Sequence, residues 1–204
     1  MTEAHADKRA FFDRHADGWD ADYQDPRELP RLRTVLAEAG LRPGQRILEP
    51  GCGTGRITPV ILDLVGPGGR VVGMDFSLPM LRQARGRATA AGAGWVLADA
   101  HRPCFGPGAF DAVLLYNFFP HLSRKAEALA VLARLLRPAG RLVICHLTGR
   151  EKLNAFHAGV GSAVAHDMIP PREVVNRMLA DARLGPVIWR EADDLYLVVG
   201  EAGA

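Results

Sequence analysis

The feature that most constrains this chain is an alternation repeated along its length: a short apolar run, a turn, then a stretch with helical periodicity. Runs at 46–49, 70–75, 95–98, 110–116 and 141–147 read as strands, and 56–65, 77–91 and 123–136 as the helices between them. None of the runs alternates polar with apolar residues. Each therefore expects cover on both faces, the condition of a parallel sheet between two helical layers. Gly40, Pro43-Gly44, the Gly66-Pro67-Gly68-Gly69 turn and Pro138 with Gly140 punctuate the pattern. The tail departs from it. After a helix at 171–182, runs at 186–190 and 195–200 are joined by the tight acidic turn 191–194, too short for a parallel crossover. These last strands should pair antiparallel, directly or across one neighbour. The expected fold is α/β: a doubly wound seven-stranded sheet, mostly parallel with an antiparallel last strand, and helices on both faces.

With 204 residues the chain suits one domain and a small appended element. A net charge of +2 gives no electrostatic case for nucleic acid or an anionic membrane as a partner. The densest basic stretch, Arg82, Arg85 and Arg87, reads as the solvated face of a helix. Cys52, Cys104 and Cys145 form neither a CxxC motif nor a disulfide framework. The N-terminus is charged throughout, unlike a signal peptide, and no apolar run approaches the roughly 20 residues that span a bilayer. A cytoplasmic protein, monomer or homodimer, is expected. Within residues 1–40 the aromatics Phe12, Trp19 and Tyr23 are seven and four apart, so one helix would align them. That segment is expected to be a helical lid on a domain of residues 41–204, with Tyr23 reaching a substrate. Plain docking of a helix on the domain is the alternative.

The first strand runs into Glu49-Pro50-Gly51-Cys52-Gly53-Thr54-Gly55. A glycine-rich turn between strand and helix lets backbone approach a ligand where a Cβ would clash. The dinucleotide fingerprint G-x-G-x-x-G fails, because its third glycine position holds Arg56. The phosphate-cradling loop also fails, for want of a lysine between Gly51 and Gly69. What fits is E-x-G-x-G-x-G followed by an acid, Asp75, at the end of the second strand, with Ser77 as N-cap of the next helix. A carboxylate there can accept hydrogen bonds from adjacent ribose hydroxyls.

On these residues the chain resembles the class I S-adenosylmethionine-dependent methyltransferases. ILEPGCGTG resembles the family's first motif and VVGMDFSLPML its ribose-binding second. VLADAHRPCF and RLLRPAGRLVI are similar to the segments around strand three and leading into strand five. The resemblance implies S-adenosylmethionine as cofactor, with Gly51, Gly53 and Gly55 along its methionyl and ribose region and Glu49 near its amino group. It further implies Asp75 on the ribose, Phe76 and Met80 packed on adenine, and Asp99 and Ala100 at the adenine edge. Tyr116 and Asn117 would approach the methionine moiety. The Asn/Asp-Pro-Pro-Tyr/Phe motif of members acting on nucleic acid or protein amides is replaced here by Tyr116-Asn117-Phe118-Phe119. A small-molecule acceptor is therefore expected. A non-catalytic cofactor-binding partner subunit and an RNA or protein methyltransferase are the rivals.

In an open α/β sheet, ligands meet the carboxyl ends of the strands. That zone carries Phe118, His121, His146, Asn154, His157 and His166, four of the seven histidines among them. Thr148-x-x-Glu151 reads as a capping box that puts Glu151, Asn154 and His157 on one helix face. Three readings fit. The polar residues are caps and solvated loops. Alternatively, His146 or His121 is a general base, with Phe118 and Asn154 touching the acceptor. In the third, His146, His157 and His166 hold a divalent transition metal, with Glu151 or Asp167 as a further ligand.

Overall fold

Strand parity divides the core into two layers. Along β4 (Phe110–Tyr116), Val113 and Leu115 enter one apolar cluster, while Ala112, Leu114 and Tyr116 enter another on the opposite face. The same split runs through β1 (Arg46–Pro50), with Leu48 on one side and Ile47 on the other. In β5 (Leu136–His146), Leu142 and Ile144 oppose Val143 and Cys145. Burial on both faces is why these strands show no alternation in sequence. The computed structural model describes residues 3–22, 25–160 and 163–203.

The sheet has seven strands in the order β3-β2-β1-β4-β5-β7-β6, where β2 is Arg70–Asp75, β3 Gly94–Leu97, β6 Leu184–Ala192 and β7 Leu195–Ala202. The pairs among β1 to β5 are parallel. The β6–β7 hairpin is antiparallel, and β7 lies antiparallel between β6 and β5. The expected doubly wound architecture is thus the observed one. Helices α2 (Glu28–Glu38) and α3 (Thr58–Val65) cover one face with Leu32, Leu36, Ile61 and Val65. Helices α5 (Lys125–Ala133) and α7 (Arg172–Asp181) cover the other with Leu129, Leu132, Val175 and Leu179. Helix α4 (Leu78–Gly86) lies against β2 and β3. Among the described residues no helix is long and apolar enough to cross a membrane.

Three elements differ from the sequence expectation. The N-terminal helix α1 (Glu3–His15) does not run on to align three aromatics. It ends before Gly18, which takes a left-handed φ of +85°, and the chain resumes as a 3-10 turn at Trp19–Asp22. Phe12 and Trp19 still meet, with ring centroids 5.5 Å apart, while Tyr23 lies outside the described residues. The helix expected at 77–91 breaks after Gly86, where Arg87 is extended (φ −77°, ψ 102°) before a 3-10 turn at Ala88–Ala90. Arg87 therefore does not sit on a solvated helix face; it reaches back to the Thr54 carbonyl at 3.1 Å and to Asp20. The helix expected at 123–136 gives way sooner, because Leu136 already pairs with Phe110 and the register shifts across Phe110/Ala112.

Candidate active site

Strand β1 pairs with β2 on one side and β4 on the other, and the loops that leave β1 and β4 go to opposite faces of the sheet. Between them opens the crevice that such a reversal of winding creates. It holds two adjoining cavities. One, open to solvent, is lined by the glycine loop, Glu49, Arg56, Asp75, Met80 and the β4 loop. The second is lined by Asp75, Phe76, Asp99, Ala100, His101 and Leu122. Phe12, Gly51, Phe76, Phe118 and His121 border both. The Phe118 ring lies so close over Gly51 that a Cβ there would stand 2.1 Å from it.

Asp75 holds the loop in shape. Its carboxylate accepts from the Gly53 N–H at 2.9 Å and the Ser77 N–H at 2.8 Å, and Ser77 in turn caps α4 through Met80 N. Burial pushes Asp75 up to about 6, against those hydrogen bonds. Glu49 is also buried, accepts from Thr58 Oγ1 at 2.7 Å, and is pushed up to about 8 by desolvation. Arg56 is not turned into the cavity as a lone cation: Glu28 of α2 takes it in a two-pronged pair at 2.6 and 3.1 Å and also accepts from Tyr116 Oη at 2.7 Å. The N-terminal segment is strapped across the mouth. Asp20 accepts from Thr54 Oγ1 at 2.7 Å and from Arg87, and Asp17 accepts from Gln83 at 2.7 Å.

The three glycines are not equivalent. Gly53 faces the first cavity, where the nearest atom to an added Cβ would be Met80 Sδ at 3.9 Å. Gly55 faces away, and its Cβ would lie 2.7 Å from the Trp95 ring and 3.1 Å from Ala84 Cβ. It lets the loop pack on α4 and β3 and lines neither cavity, unlike Gly51 and Gly53. Asp99 lines the second cavity and accepts from the backbone N–H and ring of His101.

The polar cluster that follows β4 and β5 resolves into different tasks. His121 Nδ1 lies 2.7 Å from Asp167 Oδ2. Asp167 is held below the usual carboxylate range, because hydrogen bonds from His121 and Lys8 outweigh the upward push of burial. As an ionised acceptor it fixes the proton on Nδ1 and leaves Nε2 as the basic nitrogen. His157 Nδ1 bonds the Asp167 carbonyl, and Asn154 binds both backbone groups of Ile169 (3.0 and 2.8 Å). Asn154 thus clamps a loop and lines neither cavity. His146 shares strand parity with Leu142 and Ile144, faces the core against Tyr196, and is 1% exposed. Burial pushes it down to about 3. It reaches neither cavity. His166 is exposed, although the adjacent Asp167 is buried. Among the described residues no group of three His, Cys, Asp or Glu could hold a metal ion, so the expected site of His146, His157 and His166 does not form. The capping box is absent too: α6 (Arg150–Gly159) starts from Gly149 without a side-chain cap, and Glu151 lies in solvent beside Arg150. Sequence reasoning missed Lys8, Glu28 and Asp20. For Lys8 a signal existed, since it is one of only three lysines in an arginine-rich chain.

Comparison with known proteins agrees with this architecture. The family described as "Methyltransferase domain" matches residues 48–144. The ubiquinone/menaquinone biosynthesis C-methyltransferase UbiE of Pseudomonas syringae pv. tomato is 34% identical over 183 residues, 77% of this chain and 72% of that protein. The chain belongs to the class I S-adenosylmethionine-dependent methyltransferases. Nocamycin O-methyltransferase of Saccharothrix syringae is 37% identical over 154 residues, 71% of this chain. The chain spans only about half of that protein's length, 53%. In fold it matches a chain of the Haloferax volcanii complex between the Trm112 methyltransferase activator and a methyltransferase. There the TM-score is 0.79 at 19% identity, covering 95% of this chain and 98% of that one.

Two substitutions separate the roles of the glycines. Gly55→Ala should lower stability by about 2–4 kcal/mol, through left-handed strain and overpacking, in urea unfolding. Gly53→Ala should cost only about 1 kcal/mol of strain while removing most of the affinity for a ligand in the first cavity. Equal stability losses for the two would contradict this assignment.

Glu49 gives a pH signature. Its folded value of about 8 lies above the ordinary 4.5, so the stability it supports is full below pH 4.5 and is lost as pH rises through 8. Glu49→Gln keeps an acceptor for Thr58 and removes that loss. Thermal scans should show the variant roughly 2–4 °C above wild type at pH 8.5 per kcal/mol recovered, with no gain at pH 5.

Proposed function

We propose that the protein transfers the methyl group of S-adenosylmethionine to a small-molecule acceptor that must lose a proton, a hydroxyl above all, with His121 as general base. The observation that carries this reading is the 2.7 Å pairing of Asp167 with His121, whose side chain borders both cavities. Two relatives are named for O- and C-methylation, and acceptors of both kinds give up a proton.

The residues suit the cofactor. The lining offers the carboxylates Glu49, Asp75 and Asp99 as acceptors for hydroxyl and amine groups, and its one arginine is neutralised by Glu28. Gly53 leaves open the space a Cβ would fill. Asp75 would hold the ribose through its remaining lone pairs, Phe76 and Met80 would flank the adenine, and Asp99 and Ala100 would read its edge. Glu49, with Gly51, Gly53, Tyr116 and Asn117, would line the methionyl end. Gly55 takes no part in contact. When bound, the cofactor supplies a methyl on a cationic sulfur: the bond to acceptor oxygen forms as the C–S bond breaks, and its electron pair neutralises the sulfonium.

This chain's own residues would align and dry the reaction. His121 Nε2 takes the acceptor's proton, and the Asp167 carboxylate stabilises the imidazolium that results. Phe12 and Trp19, carried by the strap over the first cavity, would exclude water, so residues 1–40 act as a lid on the domain of residues 41–204. Phe118 would touch the acceptor where it overhangs Gly51.

Calorimetry should show S-adenosylmethionine binding without NAD binding. At pH 7 Glu49 is mostly protonated, and a ligand ammonium beside it favours the carboxylate. Binding in buffers of different ionisation heat should therefore release a proton, a release that Glu49→Gln abolishes. Proton uptake would contradict the placement of Glu49.

His121→Ala should lower kcat by about 10²–10⁴ while cofactor affinity stays within about twofold of wild type. An equal loss of cofactor affinity would assign His121 to the cofactor site instead.

A further inference from the structure

The N-terminal helix does more than sit above the crevice. Lys8 of α1 is 9% exposed, donates to the backbone carbonyl of His121 at 3.0 Å, and pairs with Asp167 Oδ1. Asp167 gives its other carboxylate oxygen to His121 Nδ1. One helical turn further, on the same face of α1, Phe12 meets the His121 ring edge to face with centroids 5.4 Å apart. The helix thus grips His121 three ways: by its carbonyl, by its ring, and through the carboxylate that orients it.

The chemistry of this arrangement is unusual for a mere anchor. Taking an ammonium and a carboxylate out of water carries a desolvation penalty that offsets much of their attraction. An apolar residue at position 8 would dock α1 at lower cost. What the lysine adds is a positive charge sharing one carboxylate with the imidazole. With Lys8 docked, the ammonium takes up part of the Asp167 charge and less of it acts on the imidazole. With Lys8 away, Asp167 acts on His121 alone and favours the imidazolium, the form that cannot accept a proton.

We propose that Lys8 is a positioning residue through which α1, when docked, aligns His121 and weakens the hold of Asp167 on its proton. His121 is then a better base beneath the docked N-terminal helix than without it. This deepens the reading of His121 as general base and rests on it for its catalytic meaning, but the coupling itself needs no acceptor. The other titratable groups near His121 belong to other elements than α1. His157 on α6 bonds the Asp167 carbonyl, and His146 on β5 is buried and neutral. Lys125 on α5, brought down to about 8 by burial, donates to the carbonyls of Pro120 and Leu122 that flank His121. Asp75 and Asp99 line the second cavity with His121 and belong to other elements.

The test is the titration of His121, followed by NMR of ¹³C-labelled histidine in the full chain, for wild type, Lys8→Met and Lys8→Arg. Removing the positive charge should raise the His121 midpoint by about one pH unit. Lys8→Arg, which restores the charge, should return it towards wild type, while the midpoints of exposed His15 and His166 stay put in all three proteins. An unchanged His121 midpoint in Lys8→Met would overturn the proposal, as would an equal shift in Lys8→Arg. If Lys8→Met proves unfolded, Lys8→Gln with the same readout decides it. A wild-type turnover in His121→Ala would sink the general-base reading while leaving this titration result standing, so the two failures are distinguishable.

Discussion

Everything in the site follows from the position of β1 between two parallel neighbours. Ile47 and Leu48 pair with Val71 and Val72 on one side and with Ala112 and Val113 on the other, so β1 has no free edge and no exposed face. A strand so enclosed can send its chain out only at its end. The winding reverses there, and the loop after β1 and the loop after β4 therefore part to opposite helical layers. The glycine loop comes from the first and His121 from the second. Their separation is a property of the topology, and the side chains only decorate it.

Within that opening, carboxylates serve as joints. Asp75 ties the glycine loop to the start of α4, Glu28 ties the end of β4 to the loop before α3, and Asp20 ties the N-terminal strap to both the loop and Arg87. The Asp167 carboxylate joins α1 to the β4 loop, and its backbone carbonyl takes His157 of α6. Asp75 and Asp167 are buried, and a buried carboxylate is retained where several donors converge, since an unsatisfied one would cost far more than the hydrogen bonds return. The crevice is thus bounded by groups whose hydrogen bonds also set its shape.

The parts legible in the sequence were those written locally. The glycine spacing, Asp75 at a strand end and Ser77 after it lie in unbroken motifs, and unalternating strands announce a two-faced sheet. The contacts that were not legible join residues far apart in the chain: Lys8 with Asp167, Glu28 with Tyr116, Asp20 with Arg87. No periodicity carries such pairings. His146 is an intermediate case. Its parity with Leu142 and Ile144 points it into the core, and reading the strand two residues at a time separates it from His121. Gly55 illustrates the opposite limit, since a glycine needed for packing on Trp95 looks identical in sequence to one needed for a ligand.

Between α1 and α2 the strap across the mouth is attached differently from the scaffold beneath it. The sheet and its helices are joined by buried apolar surface, whereas Asp17, Asp20, Gln83 and Arg87 join the strap through partly exposed polar and charged groups. Dissolved ions screen the second kind of attachment and leave the first nearly untouched. Rising ionic strength should therefore loosen these contacts of the strap while the scaffold beneath does not register the same change.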